Sequence, residues 1–256
     1  PLSEKESSRA NVRKKAAAFA ERMILVRTNS LGSDFIMGDL NEAIVSGVNG
    51  IILPKVEKAD DIIEINKLLI EVEKKKAFAE GALRVFPLIE TAAAVQHIFN
   101  IVSTKTKPDR IHTVMFGAAD YTLDMGIEMT MGGEELFYAR SRIAVACRAA
   151  GIAPPIDTPF MIDLKSTEGL ISDAMQAKKL GFQGKLVIHP NQVKPCNKIF
   201  SPLPEEIEKA EKIVKAFEEA EAAGVAAIQL EGKFIDFPVV KRAREILALA
   251  VEIEKK

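Results

Sequence analysis

The sequence predicts an α/β protein of the (β/α)8 barrel class, a TIM barrel. Short, β-rich apolar runs alternate with amphipathic helical patterns along most of the 256 residues. Near-continuous apolar strands separated by helices of this length indicate parallel strands covered on the outside, either a doubly wound sheet or a barrel. No GxGxxG or GxxxxGK(S/T) pattern follows any run, which removes support for a nucleotide-binding sheet. The third observation is a charged or titratable residue at or just beyond the end of each run.

Strands are expected at Met23–Thr28, Gly50–Pro54, Arg84–Glu90, His112–Gly117, Pro155–Thr158 and Lys185–His189. Helical patterns fall near Asp34–Ser46, Ala59–Phe78, Thr91–Ser103, Gly133–Ala150 and Ser166–Leu180. The opening segment, "PLSEKESSRANVRKKAAAFAE", has the pattern of a polar helix. After Pro190, two helices at about Pro204–Ala222 and Pro238–Glu254 flank a hairpin-like segment, "GVAAIQLEGKFIDFPVV". The expected organisation is a barrel domain over 1–200 and a C-terminal lid or oligomerisation segment over 201–256. About six strands are found where a barrel has eight. An open barrel edge would expose unpaired backbone, so a further strand–helix–strand unit is expected ahead of Pro1.

Composition excludes several function classes. The net charge is −1, from 35 basic and 36 acidic residues, with no block of like charge long enough for a nucleic-acid arm. No apolar run approaches the roughly 18 residues of a membrane span, and the opening residues carry no signal-peptide pattern. Cys147 and Cys196 lack metal-ligand spacing, and Cys147 sits in the apolar pattern "RIAVACRAAG", where it reads as packing. A reducing cytoplasm is the expected location.

The polar residues at the run ends are Arg27, Lys55, Glu90, Asp120, Asp157 and His189. In a parallel barrel all C-terminal strand ends share one face, and that face carries the active site. Any one of the six can be a solvated strand end or a cap; six in succession point to a converging polar site. Glu90 and Asp120, from consecutive strands, can bind one hard divalent cation, since Mg²⁺ commonly takes one or two protein carboxylates and fills its other positions with water and substrate oxygens. No Cys/His cluster suggests zinc. Asp120 can instead cap the turn before "YTLDMG", and Glu90 can favour the helix N-terminus at Thr91. Gly117, Ala118 and Ala119 allow close approach of backbone and ligand.

With these residues in place, the chain resembles the citrate lyase β-subunit/malyl-CoA lyase family, the HpcH/HpaI-type aldolases. The matching segments are "VRTNSLGSDF", "GIILPKVE", "FPLIETAAAV", "VMFGAADYTLDMG", "PPIDTPFMIDLKSTEGL", "LGFQGKLVIHPNQV" and "EGKFIDFPVVKRA". The resemblance implies a leading strand–helix–strand ending in an acidic "DLEDSV"-like motif before the segment matching "PLSEKESSR". It implies Mg²⁺-dependent (or Mn²⁺-dependent) carbon–carbon cleavage of a 3-hydroxyacyl-CoA such as citramalyl-, malyl- or citryl-CoA, giving acetyl-CoA and a 2-oxo acid. Coenzyme A then enters as part of the substrate. Metal at Glu90 and Asp120 would chelate the 2-oxo acid, and Arg27 would bind oxygens that gain negative charge. The family places an aspartate corresponding to Asp236 over a neighbouring subunit's barrel as general acid/base; without that resemblance Asp236 reads as a helix N-cap. The implied assembly is a homo-oligomer, a trimer or hexamer. Lys55 orients a substrate carboxylate or is a solvated strand end. Asp157 shapes the site by hydrogen bonding, and His189 contacts the CoA chain or packs. Two other activities fit the scaffold: a β-subunit of a citrate lyase complex acting on an acyl-carrier-protein thioester, and a malyl-CoA thioesterase.

Overall fold

The computed structural model of the chain describes residues 4–19, 21–222, 224 and 227–255. The chain divides into two compact units, Pro1–Gln192 and Val193–Lys256.

In the first unit, six strands form one parallel sheet in chain order: β1 (Leu25–Arg27), β2 (Gly50–Leu53), β3 (Arg84–Ile89), β4 (Met115–Phe116), β5 (Ile156–Asp157) and β6 (Gly184–Lys185). Leu25 lies opposite Gly50, Ile51 opposite Val85, Leu88 opposite Met115, Met115 opposite Ile156 and Ile156 opposite Gly184. Parallel neighbours in sequence order are the arrangement of a barrel wall. The sheet curls as a half-barrel. Phe86, Leu88 and Met115 form a core cluster that Leu25, Ile52, Ile156 and Leu186 join, so all six strands or their ends contribute to one face.

The helices of this unit are α1 (Lys5–Ala16), α2 (Ile36–Glu42), α3 (Ala59–Lys75), α4 (Ala92–Ser103), α5 (Ala118–Met125), α6 (Phe137–Ala150) and α7 (Thr167–Lys179). Their starts follow local chemistry. The Asp61 carboxylate accepts the Glu57 and Lys58 N–H groups before α3, at 2.8 and 3.1 Å. The Thr91 hydroxyl accepts the Ala94 N–H at α4, and Ser166 accepts that of Gly169 at α7. Such caps satisfy backbone donors that a helix leaves unbonded. On α4, buried Ala94, Val95, Ile98, Ile101 and Val102 form the stripe that a core-facing helix requires.

The structure departs from the sequence expectation in several places. Two helices form where the sequence marks no helical pattern, α5 within "GAADYTLDMG" and one over Val193–Phe200. The last run, expected over Lys185–His189, is paired only at Gly184–Lys185, with the Leu186 N–H still donating to Asp157 O at 2.8 Å. β6 has a partner on one side alone among the described residues, so only β5 holds it in register.

The second unit holds α8 (Val193–Phe200), α9 (Pro204–Ala222), an antiparallel hairpin of β7 (Ile228–Leu230) and β8 (Lys233–Ile235), and α10 (Phe237–Glu254). Its small core comprises Ala210, Ile213, Phe217, Ile235, Val240 and Ala243. Glu231 and Gly232 turn the hairpin with φ of 49° and 74°, the two positive values of a type I′ turn. Residues 225 and 226 of the expected hairpin segment and residues 1–3 and 20 of the expected leading helix lie outside the described residues. No helix among the described residues is long and apolar enough to cross a membrane.

One buried ion pair ties α3 to the chain ahead of β4. Arg110 donates to both Glu73 oxygens at 2.7 Å, and the same carboxylate accepts the Gly81 and Leu83 N–H groups. Burial pushes the Glu73 carboxyl up, but these hydrogen bonds and the Arg110 charge outweigh it and hold the group below its ordinary value. The depressed value means that its stabilisation is present above the ordinary carboxylate pKa and lost as pH falls through the folded one. Arg110→Met leaves a buried carboxylate unpaired and should cost about 3–5 kcal/mol in urea unfolding at neutral pH.

Candidate active site

Side chains alternate between the two faces of a strand, so the inner face can be followed residue by residue. Leu25, Leu88, Met115 and Ile156 belong to the inner cluster. Two residues on from each stand Arg27, Glu90, Gly117 and Thr158, a second row at the C-terminal ends of β1, β3, β4 and β5.

Glu90 is the centre of this row. It is 1% exposed, and its Oε1 accepts the Lys55 N–H at 2.9 Å. Its Oε2 is buried and has no hydrogen-bond partner among the described residues. Arg27 Nη2 lies 3.9 Å from that oxygen, too far for a hydrogen bond, on a side chain that is 61% exposed. Burial pushes the Glu90 carboxyl up; the Lys55 amide and the Arg27 charge oppose the shift, and the charge of neighbouring Asp120 adds to it.

Asp120 sits in the first turn of α5 and is exposed. Gly117, immediately before α5, lets the backbone run against Glu90: a Cβ there would lie 2.8 Å from Glu90 Cβ and 3.0 Å from Oε2. The Gly117 N–H donates to Ile89 O at 2.9 Å, and Asp124 Oδ2 of α5 accepts the Ala92 N–H at 2.7 Å. The Ala118 N–H donates to Thr158 Oγ1 at 3.1 Å, with both residues buried. Helix α5 is therefore tethered to β3, α4 and the end of β5.

The residues present fit a divalent cation. A buried carboxylate with an unbonded oxygen, raised in pKa by burial and by a second carboxylate, is a site whose charge a cation would relieve. No group of three or more His, Cys, Asp or Glu side chains that could hold a metal occurs among the described residues. A two-carboxylate set suits Mg²⁺, which retains water and substrate oxygens, and does not suit structural zinc.

The other sequence candidates are distributed differently. Lys55 reaches Glu90 through its backbone amide, with its side chain exposed and its φ at 53°. That left-handed conformation costs a non-glycine residue about 1–2 kcal/mol and marks a position held by its surroundings. Asp157 is fully buried on the opposite face of β5. Its Oδ1 accepts from Arg140 Nε at 3.0 Å, and its Oδ2 accepts from Arg140 Nη2 at 2.9 Å and from Lys185 Nζ at 2.6 Å. Arg140 and Lys185 also pair with Asp173. Burial raises the Asp173 carboxyl, but the Lys185 and Arg140 charges outweigh it and hold it low. His189 is exposed beyond β6, its Nδ1 accepting the Asn191 N–H at 3.2 Å. Asp236, in the second unit, caps α10 by accepting the Val239 N–H at 3.3 Å. Thr158 is the member of the inner row that sequence reasoning missed. The signal lies in "PIDT", where the residue two after apolar Ile156 shares its face.

Three comparisons bear on this site. Residues 1–190 match the family model described as HpcH/HpaI aldolase/citrate lyase. The citrate lyase subunit beta of Leuconostoc mesenteroides subsp. cremoris is 35% identical over 251 residues, covering 97% of this chain and 82% of that protein. The mitochondrial citramalyl-CoA lyase of Mus musculus is 31% identical over 239 residues, covering 90% and 70%. Among solved structures, protein CitE from Mycobacterium tuberculosis in complex with magnesium, acetoacetate and coenzyme A superposes with a TM-score of 0.68. It is 24% identical, covering 92% of this chain and 83% of that one, a likeness of fold.

The raised Glu90 pKa fixes a sign. Between the ordinary carboxylate value and the raised one, the folded chain holds a proton that the unfolded chain releases, so stability falls as pH rises through that window. In the presence of chelator at pH 8, Glu90→Gln should raise the melting temperature by about 2–4 °C, the shift that 1 kcal/mol gives a chain of this size. Added Mg²⁺ should then stabilise the wild type and leave the variant unmoved.

Proposed function

This chain belongs to the HpcH/HpaI aldolase/citrate lyase family and is a carbon–carbon lyase, and we propose that it cleaves a 3-hydroxyacyl-CoA to acetyl-CoA and a 2-oxo acid. The observation that carries the reading is the buried Glu90 carboxylate, one oxygen without a partner, beside Asp120 and Arg27 at the strand ends. Bound between Glu90 and Asp120, Mg²⁺ (or Mn²⁺ in its place) would supply Lewis-acid polarisation of the 2-oxo carbonyl.

The chain's own residues do the rest. Arg27, always charged and exposed at the mouth, donates to oxygens that gain negative charge as the bond breaks. The Lys55 amide holds Glu90, and its ammonium is assigned to the substrate carboxylate. His189 is assigned to the CoA chain, and Asp157 acts by anchoring the end of β5 rather than by touching substrate. In cleavage the 3-hydroxyl gives its proton to water and becomes the 2-oxo carbonyl as the C2–C3 bond breaks, and the bond's electron pair passes into the thioester enolate. Asp236 of a neighbouring copy returns a proton to C2, and in condensation removes it. In this reading the sheet is part of an eight-stranded barrel, and the segment over 201–256 serves as lid and subunit contact of a trimer or hexamer.

A second reading has one observation in its favour. The Leuconostoc relative, at 35% identity, is named as a citrate lyase subunit, which suits a chain working on a carrier-protein thioester within a complex.

A product assay with citramalyl-, malyl- and citryl-CoA, run with Mg²⁺ and with chelator, tests the proposal. Metal-dependent release of acetyl-CoA and a 2-oxo acid from one of them is expected, abolished by Asp120→Ala in a folded protein. Intact hydroxy acid plus free CoA would instead establish a thioesterase, and turnover only on carrier-protein thioesters would favour the second reading. For the trans role of Asp236, mixing inactive Asp236→Ala with inactive Asp120→Ala subunits should restore part of the activity. Absence of any recovery in co-assembled oligomers would refute it.

A further inference from the structure

We propose that Thr158 is a positioning residue, whose hydroxyl sets the distance between Asp120 and Glu90 by holding the first turn of α5; this rests on the metal-site reading above. Asp120 lies two residues after Ala118, in the first helical turn. Gly117, which precedes that turn, offers no side-chain cap to it. The Ala118 N–H would be a buried donor without a partner except for Thr158 Oγ1 at 3.1 Å. Leaving such a donor unsatisfied is costly enough to move a helix start.

The acceptor is itself fixed. Thr158 is 1% exposed and follows Asp157, whose carboxylate is clamped by Arg140 from α6 and Lys185 from β6. The four-residue cluster with Asp173 sits behind the sheet, so it locks the end of β5 without entering the site. Rigidity passes from buried ion pairs, through one peptide unit, to a hydroxyl, and from there to the helix that carries Asp120. The Gly117 N–H to Ile89 O bond fixes the residue before α5, and Asp124 to the Ala92 N–H holds the far half of the helix; inside the first turn, Thr158 is the acceptor that holds the Ala118 N–H. Groups that orient a metal-binding side chain commonly change metal affinity by about 10–100-fold when removed.

The test reads metal binding directly, with no turnover involved. Mn²⁺ alone is titrated into metal-free full-length protein and the free ion is followed by electron paramagnetic resonance, with Mg²⁺ as competitor. Thr158→Val removes the acceptor at nearly constant volume and should weaken Mn²⁺ binding by about 10–100-fold. Thr158→Ser keeps the acceptor and should stay within about threefold of wild type, a rescue that a packing role for the methyl group would not give. Should Thr158→Val fail to fold, Thr158→Ala is read by the same rule. Wild-type affinity in a folded Thr158→Val protein overturns the inference while leaving the metal site standing. Equal binding by wild type and Asp120→Ala removes both, because the site itself then fails.

Discussion

The strict alternation of side chains along parallel strands is the constraint on which the site depends. In β1, β3, β4 and β5 it places an apolar residue on the inner cluster and then, two positions later, Arg27, Glu90, Gly117 or Thr158 at the strand end. A slip of one residue in any ladder would exchange a member of this row for one facing the helices. At β5 that exchange would put Asp157 in the site and Thr158 outside it. The buried cluster of Arg140, Asp157, Asp173 and Lys185 makes the slip costly, since it would take from two buried cations one of their two carboxylate partners.

Glu90 is held against its own solvation preference. Burial favours its neutral form, and the neighbouring Asp120 does the same. The Lys55 amide and the Arg27 charge offset this only in part, and the remaining oxygen has no donor. Such an arrangement is unfavourable for the empty fold and favourable for anything cationic that enters. The Glu73–Arg110 pair, by contrast, has its carboxylate oxygens and guanidinium nitrogens all hydrogen-bonded and supplies rigidity rather than reactivity. The unit thus contains buried carboxylates of two kinds, paired with a cation at Glu73 and left with an open oxygen at Glu90.

Much of this was legible in the sequence, for identifiable reasons. Arg27 and Glu90 terminate long apolar runs whose length and β-branched content mark strands, so their placement follows from the run itself. The hairpin was legible because "EG" between two alternating segments suits a tight turn. What escaped reading has physical causes too. "PIDT" holds one apolar residue from which to count, so the parity that puts Thr158 and not Asp157 on the face of Ile156 rests on a single step and was overshadowed by the charge of Asp157. Helix α5 opens with small residues and buries only Ala118, Tyr121 and Thr122, which leaves little apolar periodicity to detect. Lys55 drew notice for its ammonium, whereas the contact it makes is through its amide, a group that every residue but proline carries.

That last feature has a consequence for how the site tolerates change over generations. A ligand supplied by the main chain is independent of the letter written at that position. Position 55 can therefore drift through most side chains with the Glu90 contact intact, and glycine would adopt its left-handed backbone with less strain than lysine. Proline alone is forbidden, on two counts: it lacks the donor and it cannot take a positive φ. The part of this centre that grips Glu90 most closely is thus the part that substitution is least able to erase: whatever a change at position 55 does to the ammonium, the amide stays.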